Sequence, residues 1–202
     1  MPRTGRPRQF DMDEKLDAAL RIFWEFGYDA TSLTMLREGL GISSASFYAA
    51  FGSKEALFER VLDRYLSGPG TVSEPLEDTS LPPREAVRSA LTASAAMQTH
   101  ASHPSGCLIA LGAIGAPESS APRDLLARRR DVTRQALREC VSRGIAEGEL
   151  LASVDPNVLA SSLHAFLMGL SVEARDGASG ATLAASVEQA MSMWDGCAAS
   201  RR

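Results

Sequence analysis

Three glycines govern what the first third of this chain can become. Gly27, Gly41 and Gly52 each close a short run of apolar residues at helical spacing, and each is followed within a few positions by a hydroxyl residue able to cap a new helix. Glycine to stop and serine or threonine to start predicts a series of short helices joined by tight turns. Asp11 to Phe26 repeats Leu16, Leu20 and Phe23 on one face, with Ala19 and Phe26 beside it. Asp11, Asp13 and Glu14 fill the first turn, where the helix dipole favours acids. Thr31 or Ser32 caps a second helix over Leu33 to Leu40. Ser43 caps a third that runs to Ala49 or Ala50. Ser53 caps a fourth, with Glu55 in its first turn and Leu57, Phe58, Val61, Leu62 and Tyr65 continuing it.

The third helix has too little to bury. Ile42 and Phe47 face inward and pin it to its neighbours, which leaves Ser43, Ser44, Ser46 and Ala49 pointing outward. Small side chains let a helix backbone approach base edges and phosphates that bulky ones would hold off. Helix, glycine turn, helix at this length is the arrangement whose second helix enters a major groove. Tyr48 and Lys54 then stand where a phenol and an ammonium reach phosphate oxygens on either side.

A net charge of -4 argues against a general polyanion binder, but the average conceals the layout. Residues 1 to 66 carry 9 Lys and Arg against 10 Asp and Glu, whereas residues 1 to 10 carry three Arg and no acid. Pro2, Gly5 and Pro7 disfavour helix there, so residues 1–10 are expected to form a flexible basic arm. Arg3, Arg6 and Arg8 on such an arm suit a narrow minor groove.

The Gly, Pro, Ser and acid cluster from residue 66 to 85 predicts a loop between two domains, 11–66 and 67–202. Beyond it, helical patterns run from Glu85 to His100, Ser105 to Gly115, Pro122 to Gly148, Pro156 to Arg175 and Gly180 to Asp195, with no alternating strand pattern. The fold class is therefore all-α, about nine helices in total, with a helical bundle after the head. Its last two helices carry broad apolar faces, Leu159, Leu163, Phe166, Leu167 and Leu170 on one and Leu183, Val187, Met191 and Trp194 on the other. Such excess predicts a partner, and a second copy of the chain is the simplest one.

The head resembles the TetR family of bacterial transcription repressors. The resemblance covers about residues 10 to 66 and is most specific in "FGYDATSL" and "LGISSASFYAAFGSKEALF". It implies a homodimer that places the helix from Ser43 to Ala49 of each subunit in successive major grooves of double-stranded operator DNA, about 34 to 36 Å apart. It further implies phosphate contacts from Thr31, Ser32, Thr34, Tyr48 and Lys54, and base reading by Ser44, Ala45, Ser46 and Ala49. Two departures stand out. Arg37 occupies a position where such motifs usually hold a small residue for close packing, and Ala49 and Ala50 stand where many members carry a larger side chain. The C-terminal domain, by the same resemblance, binds a small-molecule effector that releases the DNA.

Other chemistry is sparse. His100, His103 and Cys107 fall within eight residues, without the spacing of a closed zinc site. Cys107 sits in the first turn of an expected helix, which would lower its thiol pKa, so a repressor that senses electrophiles or oxidants through it is an alternative. Cys140 and Cys197 complete three scattered cysteines, read as reduced thiols. Candidate ligand-binding residues are Met97, His100, Cys107, Leu108, Leu111, His164 and Phe166. No phosphate loop, nucleophile elbow or facing carboxylate pair is present, so neither an enzyme nor a cofactor is expected, although a helical interaction module or enzyme that retains the head is the competing class. No apolar run of about 18 residues exists and no secretory segment follows Met1, so no membrane partner is expected and the protein is read as cytoplasmic and nucleoid-associated.

Overall fold

The computed structural model describes residues 8–113 and 120–199, with side chains from residue 12 onward. Within them the chain is all-α: α1 (Arg8–Ala30), α2 (Leu33–Leu40), α3 (Ser44–Phe51), α4 (Lys54–Leu66), α5 (Glu74–Glu77), α6 (Pro83–Gln98), α7 (Leu108–Leu111), α8 (Ala121–Ala146), α9 (Pro156–Arg175), α10 (Gly180–Ala190) and α11 (Ser192–Asp195). Eight of these run two turns or more, and α5, α7 and α11 are single turns. Among the described residues the one extended pairing is an isolated bridge between Leu150 and Ala198.

The predicted punctuation operates in the head. The Ser32 Oγ accepts from the Met35 N–H at 3.1 Å, Ser43 Oγ from Ser46 N–H at 3.1 Å, and Ser53 Oγ from Ala56 N–H at 3.0 Å. Each cap stabilises its short helix by about 1 kcal/mol. Gly27 interrupts the last turns of α1 with φ 74° and ψ 173°, a conformation open to glycine alone. Gly41 ends α2 in the left-handed region at φ 62°.

Several boundaries differ from expectation. Helix α1 starts at Arg8 rather than Asp11, because Arg, Gln and Phe extend a helix readily once Pro7 is behind them. Arg8 therefore belongs to a helix and not to an extended arm, while Arg3 and Arg6 lie outside the described residues. The loop after α4 contains α5, anchored by buried Leu76. The helix expected from Ser105 is the single turn α7, and the last segment divides at Met191.

Close packing between α1 and α2 falls at Gly39, where an added Cβ would lie 2.5 Å from Ile22 Cδ1. The small residue that tight packing requires is thus two positions beyond Arg37, which is half-buried. In the body, α9 packs against α6, α8, α10 and α11. That central position explains its wide apolar face. Leu159, Leu163, Leu167, Leu170, Leu183, Val187, Met191 and Trp194 are all buried within the single chain, so the expectation that they form a dimer interface is corrected: they are the subunit's own core. The face that α9 leaves open carries Val158 and Val172, 63% and 47% exposed, with Ser162, Ala165 and Gly169 between them.

Head and body share a core. Leu108 and Ile109 of α7, Ala113, and Leu126 of α8 pack into the same apolar cluster as Phe23, Trp24, Phe58 and Tyr65 of the head. The packing continues across the boundary read from composition at residue 66.

Candidate nucleic-acid interface and the cavity behind it

Helix α3 presents one buried side and one bare side. Phe47 and Phe51 are buried, with ring centroids 5.5 Å apart, and hold the helix on the head. Ser43, Ser44, Ala45, Ser46, Ala49 and Ala50 are all exposed, and none is longer than a hydroxymethyl group. The Ser43 hydroxyl caps the helix and also donates to Ser46 Oγ at 3.0 Å, which leaves the Ser46 proton free to point outward. Tyr48 is 52% exposed, its ring braced edge-on against Phe47. Ser32 and Thr34 at the start of α2 are exposed on the same unit.

Two predicted phosphate contacts are engaged elsewhere. Thr31 is fully buried and donates to the Gly27 carbonyl at 2.6 Å, so its hydroxyl closes the glycine turn and is not available to DNA. Lys54 is half-buried with its ammonium 4.1 Å from the centroid of the Tyr28 ring, a cation–π seat where burial lowers its pKa. The Tyr28 hydroxyl in turn donates to Glu55 Oε1 at 2.7 Å, which holds the Glu55 carboxyl below the usual range.

Behind the reading helix, the end of α1 is gripped by the body. The Trp24 indole N–H donates to the carbonyl of Gly106 at 2.9 Å, and the His103 imidazole stacks on the indole at 4.3 Å. Arg175, the last residue of α9, donates to the carbonyls of Glu25 and Trp24 at 2.8 and 2.9 Å. The Tyr28 N–H donates to the Gly112 carbonyl at 2.6 Å. Of these residues the sequence marks only His103 as a candidate site residue, since backbone carbonyls carry no sequence signal. Trp24 alone offered one, as an indole on the apolar face of α1 that needs a partner for its N–H when buried.

The Gly106 N–H donates to the carbonyl of Gln98 at 2.9 Å. Gln98 ends α6 and borders a cavity of about 60 Å³ between α4, α6, α8 and α9, lined by Tyr65, Ser94, Arg130, Leu137, Leu167 and Ser171 among others. Gln98 Nε2 donates to Ser94 Oγ at 2.7 Å, while Gln98 Oε1 and Ser171 Oγ are buried without partners. Cys107 also lines the cavity, its Sγ accepting from the Tyr65 hydroxyl at 3.2 Å. Burial pushes the thiol up, and the Tyr65 hydroxyl and the N–H groups at the start of α7, which act the other way, offset this only in part.

Of the other predicted ligand residues, Met97 approaches the Tyr65 hydroxyl through its sulfur at 3.9 Å, Leu108 is buried in the shared core, and Leu111 is half-buried beside it. His100 is exposed and bonded to Ser102, His164 is half-buried with an unpartnered Nε2, and Phe166 lines a groove between α9 and α10. His100, His103 and Cys107 go to different partners, and no group of metal-ligating side chains converges among the described residues.

Two family models match: "Bacterial regulatory proteins, tetR family" over residues 16–61 and "Tetracyclin repressor-like, C-terminal domain" over residues 83–193. The chain is similar to the HTH-type transcriptional repressor ComR of Escherichia coli, 34% identical over 179 residues, which span 87% of this chain and 84% of ComR. Among solved structures it is similar to a cysteine mutant of the regulator CifR complexed with 26bp double-strand operator DNA. That match is 42% identical with a TM-score of 0.85, covering 94% of this chain and 100% of that one. A TetR regulator from Rhodococcus is 36% identical with a TM-score of 0.59, over 89% of this chain and 96% of that one.

Proposed function

The chain belongs to the TetR family of bacterial regulatory proteins, and on that premise we propose that it is a ligand-responsive transcriptional repressor acting as a homodimer on double-stranded operator DNA. The observation that carries the reading is the bare outer face of α3, six consecutive or near-consecutive small residues held out by buried Phe47 and Phe51. A helix so shaped can lie deep in a major groove, with its backbone near the bases and Tyr48, Ser32 and Thr34 reaching phosphates. With only hydroxyls and methyls on that face, base readout rests on thymine methyl contacts and short hydroxyl bonds, supplemented by DNA shape. Arg3 and Arg6 at the N-terminus would add minor-groove charge.

In this reading residues 11–66 form the DNA-reading unit with its linking helix, and residues 67–202 bind the effector and the second subunit. The open face of α9, with Val158, Ala165, Gly169 and Val172, is the surface offered to the other copy. A protein that works on operator DNA works in the bacterial cytoplasm. Relatives among the matched proteins are regulators.

Regulation follows from the hydrogen-bond relay. A molecule that moves Gln98 moves Gly106, and Gly106 holds Trp24 at the end of α1. Because the two sites are linked through one equilibrium, operator DNA must weaken effector binding by the factor by which effector weakens DNA binding.

The test is fluorescence anisotropy with DNA from upstream of the protein's own gene against a scrambled duplex, across a salt series, for wild type and Tyr48→Phe. A preference of roughly a thousandfold or more for the native fragment, falling steeply with salt, is expected. Tyr48→Phe weakens binding by about 1 kcal/mol without changing the salt slope, since a neutral hydroxyl displaces no counterion. Equal, weak binding to every duplex drawn from a genome-wide selection would overturn the reading.

A further inference from the structure

We propose that the cavity beside Gln98 takes a compact, uncharged, hydroxyl-bearing molecule with a short apolar body, its hydroxyl paired to Gln98 and Ser171. This rests on the reading of the chain as ligand-responsive, and the experiment below separates the two.

Size comes first. A cavity of about 60 Å³ exceeds what a single water needs and falls well short of a drug-sized site. It admits a molecule of a few non-hydrogen atoms. Its walls are largely aliphatic, with Leu91, Leu137, Ile109 and Leu167 among them, so most of that molecule is apolar.

Charge comes second. Among the described residues no carboxylate lines the cavity, and Arg129 and Arg130, which do, would repel a cation. The two arginines are also poorly placed for an anion. Arg129 is held by Asp63, and Arg130 donates its Nη1 to the Ile109 carbonyl at 2.8 Å. Burial lowers the Arg130 pKa, and the neighbouring Arg123 charge lowers it further.

The orphaned polar atoms decide the head group. Gln98 is 1% exposed and Ser171 is fully buried, and the Gln98 Oε1 and the Ser171 Oγ are both without a hydrogen-bond partner while bordering the same space. Buried unpaired polar groups are costly, and such a pair facing one cavity marks a place for a third group. The Gln98 amide is tied to Ser94 Oγ, a hydroxyl able to donate or accept. The free end of the amide can therefore be oxygen or nitrogen depending on how that bond is oriented. A carboxylate satisfies only the nitrogen and an ammonium only the oxygen. A hydroxyl satisfies either end, and its second lone pair meets the Ser171 proton.

Gln98 is also where the relay to the head begins, through its carbonyl to Gly106 and from there to Trp24. A ligand seated on the amide thus acts one residue away from the join.

The test uses the full-length protein with three probes that share one carbon skeleton: isobutanol, isobutyrate and isobutylammonium. Binding is read by titration calorimetry and by thermal shift, without DNA. Isobutanol is expected to bind saturably, and Gln98→Met and Ser171→Ala are each expected to weaken it by about tenfold while folding normally, since each removes an orphaned group. The two ions are expected not to bind. Stronger binding of either ion, or isobutanol binding that ignores both substitutions, overturns the proposal. So does a crystal structure, grown with the alcohol, that holds only ordered water on Gln98 and Ser171. Isobutanol binding at Gln98 that leaves operator affinity unchanged supports the cavity chemistry and overturns the ligand-responsive reading. Intact operator binding with no alcohol bound overturns the cavity chemistry and leaves the repressor reading standing.

Discussion

The indole N–H of Trp24 reaches across from the head to the carbonyl of Gly106 in the body, 2.9 Å away, and the N–H of Gly106 reaches on to the carbonyl of Gln98 at the same distance. Gly106 is buried with φ at 80°, and a Cβ there would lie 2.9 Å from the Ser171 carbonyl. One glycine therefore touches the DNA-reading unit, the cavity wall on α6 and the cavity wall on α9. No side chain could replace it, because both the backbone conformation and the space exclude one.

Trp24→Phe retains most of the apolar contact with Tyr65 and His103 and removes the donor to a buried carbonyl. Leaving that carbonyl unpaired costs about 1–3 kcal/mol. Urea unfolding is expected to show the unfolding free energy lowered by that amount, read as a lower midpoint at unchanged slope. A loss below about 0.5 kcal/mol, the range of an ordinary surface substitution, would mean that water reaches the carbonyl and the join is not sealed.

Gly27 and Gly41 both have positive φ, and they are expected to respond differently to substitution. Gly41 sits at φ 62° and ψ 39° with nothing near its absent side chain, so Gly41→Asn costs little. Gly27 sits at φ 74° and ψ 173°, where an added Cβ also approaches the Gly112 carbonyl to 3.2 Å. Gly27→Asn is expected to cost about 1–3 kcal/mol and to loosen the adjoining bond from Tyr28 N–H to Gly112. Thermal denaturation of the two variants in parallel checks the contrast, and equal losses would contradict it.

Arg175 forks onto two consecutive carbonyls near the end of α1, those of Trp24 and Glu25. An ammonium cannot reproduce the fork, so Arg175→Lys is expected to lower stability by about 1 kcal/mol despite keeping the charge. Hydrogen exchange gives the specific readout. The amides of residues 24 to 28 should exchange faster in the variant while those of α6 keep their protection.

The head was legible in the sequence because its instructions are local. Gly41 and Gly52 stop helices, Ser32, Ser43 and Ser53 start them, and the alternation of Phe47 with small residues defines a face. The body was legible as helices but not as a packing, because the same broad apolar stripe on α9 describes both an interface and a central helix. Leu163 at full burial shows which. The errors in the head have a similar origin. Thr31 and Lys54 look free as polar residues at helix starts, and only the fold brings the Gly27 carbonyl to one and the Tyr28 ring to the other. The relay through Gly106 and Gln98 consists of main-chain atoms, which every residue carries, so composition and spacing could not reveal it.

Cys107 provides a test by pH. Its thiol is raised first of all by burial, and the hydrogen bond from Tyr65, the N–H groups of α7 and the Arg130 charge offset this only in part. Tyr65, buried beside it, is raised as well, by burial and then by Cys107 itself. An acid whose folded pKa lies above its unfolded value favours folding fully below the unfolded value, about 9 for this thiol, and that contribution is lost as pH climbs through the folded one. Stability should therefore be flat around neutrality with respect to this pair and fall above about pH 9, and Cys107→Ala should show a shallower alkaline decline than wild type. Urea midpoints across that range measure the difference. The same protonated state makes the sulfur a poor nucleophile at neutral pH, since thiolate is the reactive form. Iodoacetamide should label Cys107 more slowly than a free cysteine peptide, with the rate rising only in alkali. Labelling faster than the peptide at neutral pH would show a thiolate in the native protein, and would return Cys107 to consideration as a sensor of electrophiles.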